Sequence, residues 1–188
     1  MSYSKQIFYE FERRVLAMLE YHRASLERGD ADASDEDRKW LGSFANGHGV
    51  NVCAGYFPIA GALGVDTEFT LASMVSGFVN TKGDDLHQID SGSCDYVVTN
   101  YFEALPDPLK AITEWKRVLR LNGVLAMVVV NSEHEVYAIP SGPLANRSRR
   151  NCYTALTIQR YLERARFNNI NIEPSGSMLR VCAERGSK

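Results

Sequence analysis

Apolar residues in this chain follow two different rhythms. Near the start, Ile7, Phe8, Phe11, Val15, Met18 and Leu19 recur at steps of three and four, which predicts one apolar stripe along a helix over residues 3–28. Glu10, Arg13, Arg14, Glu20 and Glu27 fall mainly on the other faces, and the run GDADAS ends the pattern. A second, shorter helix is predicted from Ser34, whose hydroxyl can cap it while Asp35, Glu36 and Asp37 favour the positive end of the helix dipole. Trp40, Leu41 and Phe44 would face inward, and NGHG at 46–49 stops it. From there the rhythm changes to short apolar runs bounded by small and polar residues, as expected of strands buried on both faces of a parallel sheet. These runs are GVNVCAG, with Val50 and Val52, then ALGVD ending at Asp66, the run from Cys94, and VLAMVVV ending at Val130.

The segments between the strands complete the order. Only about six residues separate the first two strands, although a parallel crossover normally takes about a dozen, so either the link is an irregular loop containing Pro58 or the strand limits shift by a residue or two. TLASMVSGFV reads as a weak helix leading into NTKGDDL, a short strand entering a polar loop. Residues 108–121 place Leu109, Ile112, Trp115 or Lys116, and Leu119 at helical spacing, with Asp107 as the cap and an Asn122–Gly123 turn after it. A long connection, 131–153, precedes a last helix capped by Thr154 or Thr157, and the tail folds into a hairpin about PSGS. The sum is an α/β fold, a Rossmann-like doubly wound, mostly parallel sheet with a C-terminal antiparallel hairpin, preceded by N-terminal helices. Residues 1–48 are expected to form a helical appendage and 49–188 the sheet domain.

Composition removes several classes of function. A net charge of −2 gives no global attraction to nucleic acid, and no apolar run approaches the roughly 18 residues that span a bilayer. The chain start lacks the apolar core of a signal peptide, so a cytoplasmic protein is expected. Cys53, Cys94, Cys152 and Cys182 are widely spaced without a CxxC pair, which favours buried free thiols. His22, His48, His87 and His134 show no ligand spacing, so no metal is expected. The one dense basic cluster is Arg147, Arg149 and Arg150, with Arg160, Arg164 and Arg166 after it, and a solvated face is its plain reading.

Ligand chemistry in parallel sheets lies beyond the carboxyl ends of the strands. That directs attention to Thr99, Asn100 and Tyr101 after one strand and to Asn131, Ser132 and His134 after the next. The text DDLHQIDSGSCDYVVTNYFEALPDPLKAITEWKRVLRLNGVLAMVVVNS resembles the class I S-adenosylmethionine-dependent methyltransferases of the small type 11-like branch. LPDP, the E-W-x-R-V-L helix and the N-G turn stand in the family's order and spacing, and the resemblance spans about residues 49–183.

The resemblance implies S-adenosylmethionine as cofactor and assigns a site. Asn51, Cys53, Ala54 and Gly55 match the glycine-rich first motif at the methionine end of the cofactor. Asp66 matches the acidic residue that accepts from the ribose hydroxyls, Asp85 and Leu86 match the pair beside adenine, and Asn100 and Tyr101 line the pocket near the sulfonium. The sequence departs from the family where Asn51 replaces an acid, Cys53 replaces the first glycine and Ala104 replaces a histidine. A cysteine side chain at 53 narrows space that glycine leaves open. The methyl acceptor is expected to be a small molecule or a sugar-containing metabolite, its pocket drawn from the N-terminal helices, Tyr56, Phe57 and the 131–153 connection. A nucleic-acid methyltransferase using the arginine cluster, and a non-catalytic binding or assembly protein that associates through its N-terminal helix as a homo-oligomer, are the alternatives.

Overall fold

The computed structural model describes residues 9, 12–13, 16, 20, 34–55, 58–67, 77–134 and 150–187. The expected helices over most of 3–28 and over 70–76, the loop residues Tyr56 and Phe57, and Arg147 and Arg149 lie outside them. Tyr9, Glu12, Arg13, Leu16 and Glu20 are helical and exposed.

Helix α1, Asp35–Gly42, starts as anticipated, with Ser34 Oγ accepting the Asp37 N–H at 3.1 Å. The strands β1 (Gly49–Val52), β2 (Leu63–Asp66), β3 (Phe78–Asn80) and β4 (Cys94–Thr99) follow. Then come a short 3-10 turn, Phe102–Ala104, helix α2 (Pro108–Val118), β5 (Leu119–Val130), helix α3 (Ala155–Arg164), β6 (Phe167–Ser175) and β7 (Met178–Arg185). The seven strands form one sheet in the order β3-β2-β1-β4-β5-β7-β6, with β7 antiparallel to both neighbours and the other pairings parallel. Asp107 caps α2 by accepting the Lys110 N–H at 3.0 Å, and Thr154 caps α3.

Apolar side chains divide by strand periodicity between the two faces. Val50, Val52, Val65, Val97, Leu125, Met127 and Val181 meet Ile112 and Trp115 of α2 and Ile158 and Leu162 of α3 on one face. Tyr96, Val98, Ala126 and Val128 meet Leu41 of α1 on the other.

Several sequence expectations need correction. The α2 helix ends at Val118 rather than Leu121, and the Asn122–Gly123 turn lies inside β5, where the pairing with β4 shifts register between Cys94 and Tyr96. The third strand is Phe78–Asn80, so TLASMVSGFV cannot be helical to its end, and NTKGDDL is mainly loop. All four cysteines are free, but Cys152 is exposed because it sits in the approach to α3 rather than in a strand. The β1–β2 link is the irregular loop anticipated: among its described residues there is no helix.

Side chains replace the missing helix as partners for that loop. Asn51, 2% exposed, accepts the Ile59 N–H at 2.8 Å and donates to the Val98 carbonyl at 3.3 Å, while Tyr96 donates its hydroxyl to the Gly61 carbonyl. An aspartate here could accept from Ile59 but would meet the Val98 carbonyl with a second acceptor, so the neutral amide fits where a carboxylate would not.

A buried ion pair joins α1 to the hairpin. The Asp37 carboxylate accepts from Ser34 Oγ at 2.8 Å, Ser175 Oγ at 2.9 Å and Arg180 Nε at 2.8 Å. Burial opposes its charge, but the hydrogen bonds from Ser34, Arg180 and Ser175 outweigh burial and hold its pKa below the ordinary 3.8. Removing one partner leaves a buried charge, so Arg180→Ala is expected to lower the unfolding free energy by about 3 kcal/mol at neutral pH. A carboxyl with a lowered folded pKa contributes its stability above the unfolded value and loses it as pH falls through the folded one. The difference between wild type and variant in urea denaturation should therefore be full at neutral pH and shrink below about pH 3.8.

Candidate functional site

Strand register decides which loops meet. Val52 is level with Val65 of β2 and Thr99 of β4, and Asp66 is level with Asn80 of β3. The residues that leave these strands, Cys53, Thr67, Thr81 and Asn100, therefore emerge along one edge. The chain departs from β1 toward β2 on one side and reaches β4 on the other, which opens a crevice beside β1.

At this edge Asp66 is tied to the first loop. Its Oδ2 accepts the Gly55 N–H at 3.0 Å and its Oδ1 accepts the Thr67 N–H at 2.7 Å. Gly55 has a φ of +57°, and a Cβ built on it would have no atom within 4 Å. Bare main chain and an oriented carboxylate thus stand together, as a diol-bearing ligand lying against backbone requires.

Cys53 is the discordant member. It holds the left-handed region at φ +53° with a side chain that disfavours it. A Cβ built on Gly83 would lie 3.2 Å from its Sγ and 2.8 Å from Val52 Cγ1, so the thiol is seated against the loop after β3 and Gly83 is glycine for lack of room. Burial, reinforced by the negative charges of Asp66, Glu103 and Asp84, pushes the thiol up to about 12.

The loop after β3 separates two carboxylates that are adjacent in sequence. Asp85 is half exposed, and hydrogen bonding from His87, whose ring lies 2.9 Å away, holds it below the ordinary carboxylate range. Asp84, which nothing in the sequence singles out, is buried, with Oδ2 3.4 Å from Lys110 Nζ and Oδ1 without a hydrogen-bond partner among the described residues. A buried acceptor lacking a donor suits a ligand amine better than an exposed acceptor already engaged by histidine. The sequence signal for it was weak: nothing distinguishes one aspartate from the other in KGDDLH.

The remaining expected residues divide. Leu86 is fully buried in the core, so its side chain faces the sheet and only its backbone belongs to the loop. Asn51 points into the β1–β2 link and is engaged there. Ala54 is buried, its N–H donated to the Val65 carbonyl. Asn100 and Tyr101 do stand at the exit of β4, half buried, the Tyr101 N–H on Thr99 Oγ1 at 3.3 Å. Beyond β5, Asn131 Oδ1 accepts the Glu133 N–H and Ser132 Oγ donates to the Tyr153 carbonyl, closing a compact turn that carries His134. Among the described residues no set of three or more His, Cys, Asp or Glu could hold a metal, and no helix is long and apolar enough to cross a membrane.

The family model described as a methyltransferase domain matches residues 39–127, the stretch that contains this edge. Over that stretch the chain is similar to the methyltransferase domain family. Solved structures agree in fold. A methyltransferase from Thermotoga maritima is 16% identical, with a TM-score of 0.69 over 93% of this chain and 97% of that one. The 1,6-didemethyltoxoflavin-N1-methyltransferase of Burkholderia thailandensis, solved with S-adenosylhomocysteine, is 15% identical, with a TM-score of 0.60 over 94% and 91%. A methyltransferase from Archaeoglobus fulgidus is 13% identical, with a TM-score of 0.59 over 78% and 90%. No curated protein matches the sequence. The family match implies S-adenosylmethionine as the cofactor; the chemistry of Gly55, Asp66 and the buried Asp84 suits such a ligand, whereas the Cys53 thiol takes up space beside them.

A thiol with a pKa near 12 stays protonated through the neutral and mildly alkaline range, and only the thiolate is a strong nucleophile. On treatment with iodoacetamide at about pH 8, the exposed Cys152 is expected to be alkylated while Cys53 remains unmodified, as read by peptide mass mapping.

Proposed function

We propose that this methyltransferase moves the methyl group of S-adenosylmethionine to a small-molecule acceptor, including sugar-containing metabolites among the candidates. The observation that carries the reading is the bond between Asp66 and the Gly55 N–H, which fixes a carboxylate beside open main chain at the exits of β1 and β2. A small acceptor is also what the named Burkholderia methyltransferase takes.

The sulfonium of the cofactor supplies an electrophilic methyl group, so the protein's tasks are positioning and exclusion of water. Asp66 would accept from the ribose hydroxyls, with Gly55 leaving the approach open. Asp84 would accept from the adenine amine, in place of Asp85, which the family resemblance implies for that role. Asn100 and Tyr101, at the end of β4, would line the path of the acceptor together with the turn at 131–134. Residues 1–48 would act as a helical appendage over the domain at 49–188. A base is needed only if the acceptor arrives protonated, and His134 is the described histidine best placed by topology to serve.

A non-catalytic binding protein is the second reading, favoured by the thiol at 53. Calorimetric titration with S-adenosylmethionine and S-adenosylhomocysteine separates the two. Saturable binding by wild type, weakened roughly tenfold or more in Asp66→Ala, is expected, because the carboxylate that would accept from the ribose hydroxyls is lost. Transfer of labelled methyl to a panel of small amines, hydroxyls and sugars then tests turnover. Binding without transfer to any of them would favour the second reading, and no binding at millimolar ligand would refute the first.

A further inference from the structure

The E-W-x-R pattern of α2 does more than pack. Residues 83–92 carry both candidate adenine carboxylates yet belong to no helix or strand, and their backbone groups are bonded to the side chains of one helical turn. Trp115 Nε1 donates to the Gly83 carbonyl at 2.8 Å, where the indole is fully buried. Glu114 Oε1 accepts the Leu86 N–H at 3.0 Å. Arg117 donates through Nη2 to the Leu86 carbonyl at 2.8 Å and through Nη1 to the Ile89 carbonyl at 3.0 Å and Ser91 Oγ at 2.9 Å. Its other two N–H groups, on Nε and Nη2, bond Glu114 at 2.9 and 2.8 Å. All five donors of the guanidinium are thereby used. The Arg117 carbonyl accepts the Gly92 N–H, closing the loop's far end.

We propose that Glu114, Trp115 and Arg117 are positioning residues for the cofactor, holding residues 83–92 in the binding conformation before the ligand arrives. The inference rests on the reading of this edge as the S-adenosylmethionine site. An arginine is needed because the acceptors it serves lie in a fan around a planar fork; a lysine ammonium has three donors on one atom and cannot reach them all. Trp115 acts through the Gly83 carbonyl, one residue from Asp84, so disturbance at the indole is felt where the amine would be recognised. A loop ordered in advance costs the ligand less entropy on binding.

The test uses the full chain and S-adenosylhomocysteine. Arg117→Lys and Trp115→Phe, each checked for folding by circular dichroism, are expected to bind roughly tenfold more weakly than wild type, with the loss in the entropic part of the calorimetric signal. A purely structural role predicts lowered melting temperature with unchanged affinity in the variants that fold. The second measurement leaves the clamp intact: in Trp40→Phe, Trp115 is the sole tryptophan, and its emission is expected to be that of a buried indole without ligand and to keep its wavelength on saturation, because the contact to Gly83 is formed beforehand. Wild-type binding together with folded variants that bind within about twofold of it, or a Trp115 emission that moves from solvent-exposed to buried wavelengths only when ligand is added, would overturn the positioning role. Failure of wild type to bind at all would instead sink the functional reading beneath it, and this inference with it.

Discussion

Backbone N–H and C=O groups buried away from water must find partners, and at the carboxyl edge of this sheet the usual partners are missing. The β1–β2 link has no helix among its described residues, and the β3–β4 link has neither helix nor strand. Side chains from the surrounding framework take over. Asn51 and Tyr96 hold the first link from beneath, Asp66 holds it from the side, and Glu114, Trp115 and Arg117 hold the second. The loops are rigid to the extent that these bonds are kept, and the site is made of those loops.

This arrangement explains why buried polar side chains are concentrated near one edge. Asn51, Thr81, Asp84, Thr99 and Glu103 are all buried close to strand ends. Thr81 Oγ1 donates to the Asp85 carbonyl at 2.7 Å, and the Glu103 carbonyl accepts from the backbone of Arg150 and Asn151. The last of these bonds draws the approach to α3 back against the turn after β4. Framework and site share residues, so substitutions here act on stability and on ligand geometry together.

The departures from the family's first motif have different physical consequences. Asn51 in place of an acid is a structural exchange, since its amide can donate as well as accept in a position where both are required. Cys53 in place of glycine is a constraint on the site, because its side chain stands in a strained backbone region and is pressed toward Gly83. The same edge thus combines a carboxylate bonded to the Gly55 N–H with a thiol seated beside the next loop.

Much of the scaffold was legible in the chain itself. Short apolar runs announced the buried strands, and Ser34, Asp107 and Thr154 marked the starts of α1, α2 and α3, because a cap is a local interaction between near neighbours. The terminal hairpin was equally plain from its turn residues. Asp66 could be picked out because it ends a strand. Other features required the folded chain. Whether Asp84 or Asp85 is buried depends on Lys110, a partner far along the sequence, and on a loop conformation imposed by α2. That Leu86 faces the core, and that Arg117 spends every donor on a distant loop and its own Glu114, are likewise matters of contact between remote segments. Sequence determined the elements because periodicity and caps act within a few residues; only tertiary structure decided which polar groups remain for a ligand, because that depends on which ones the rest of the protein has already engaged.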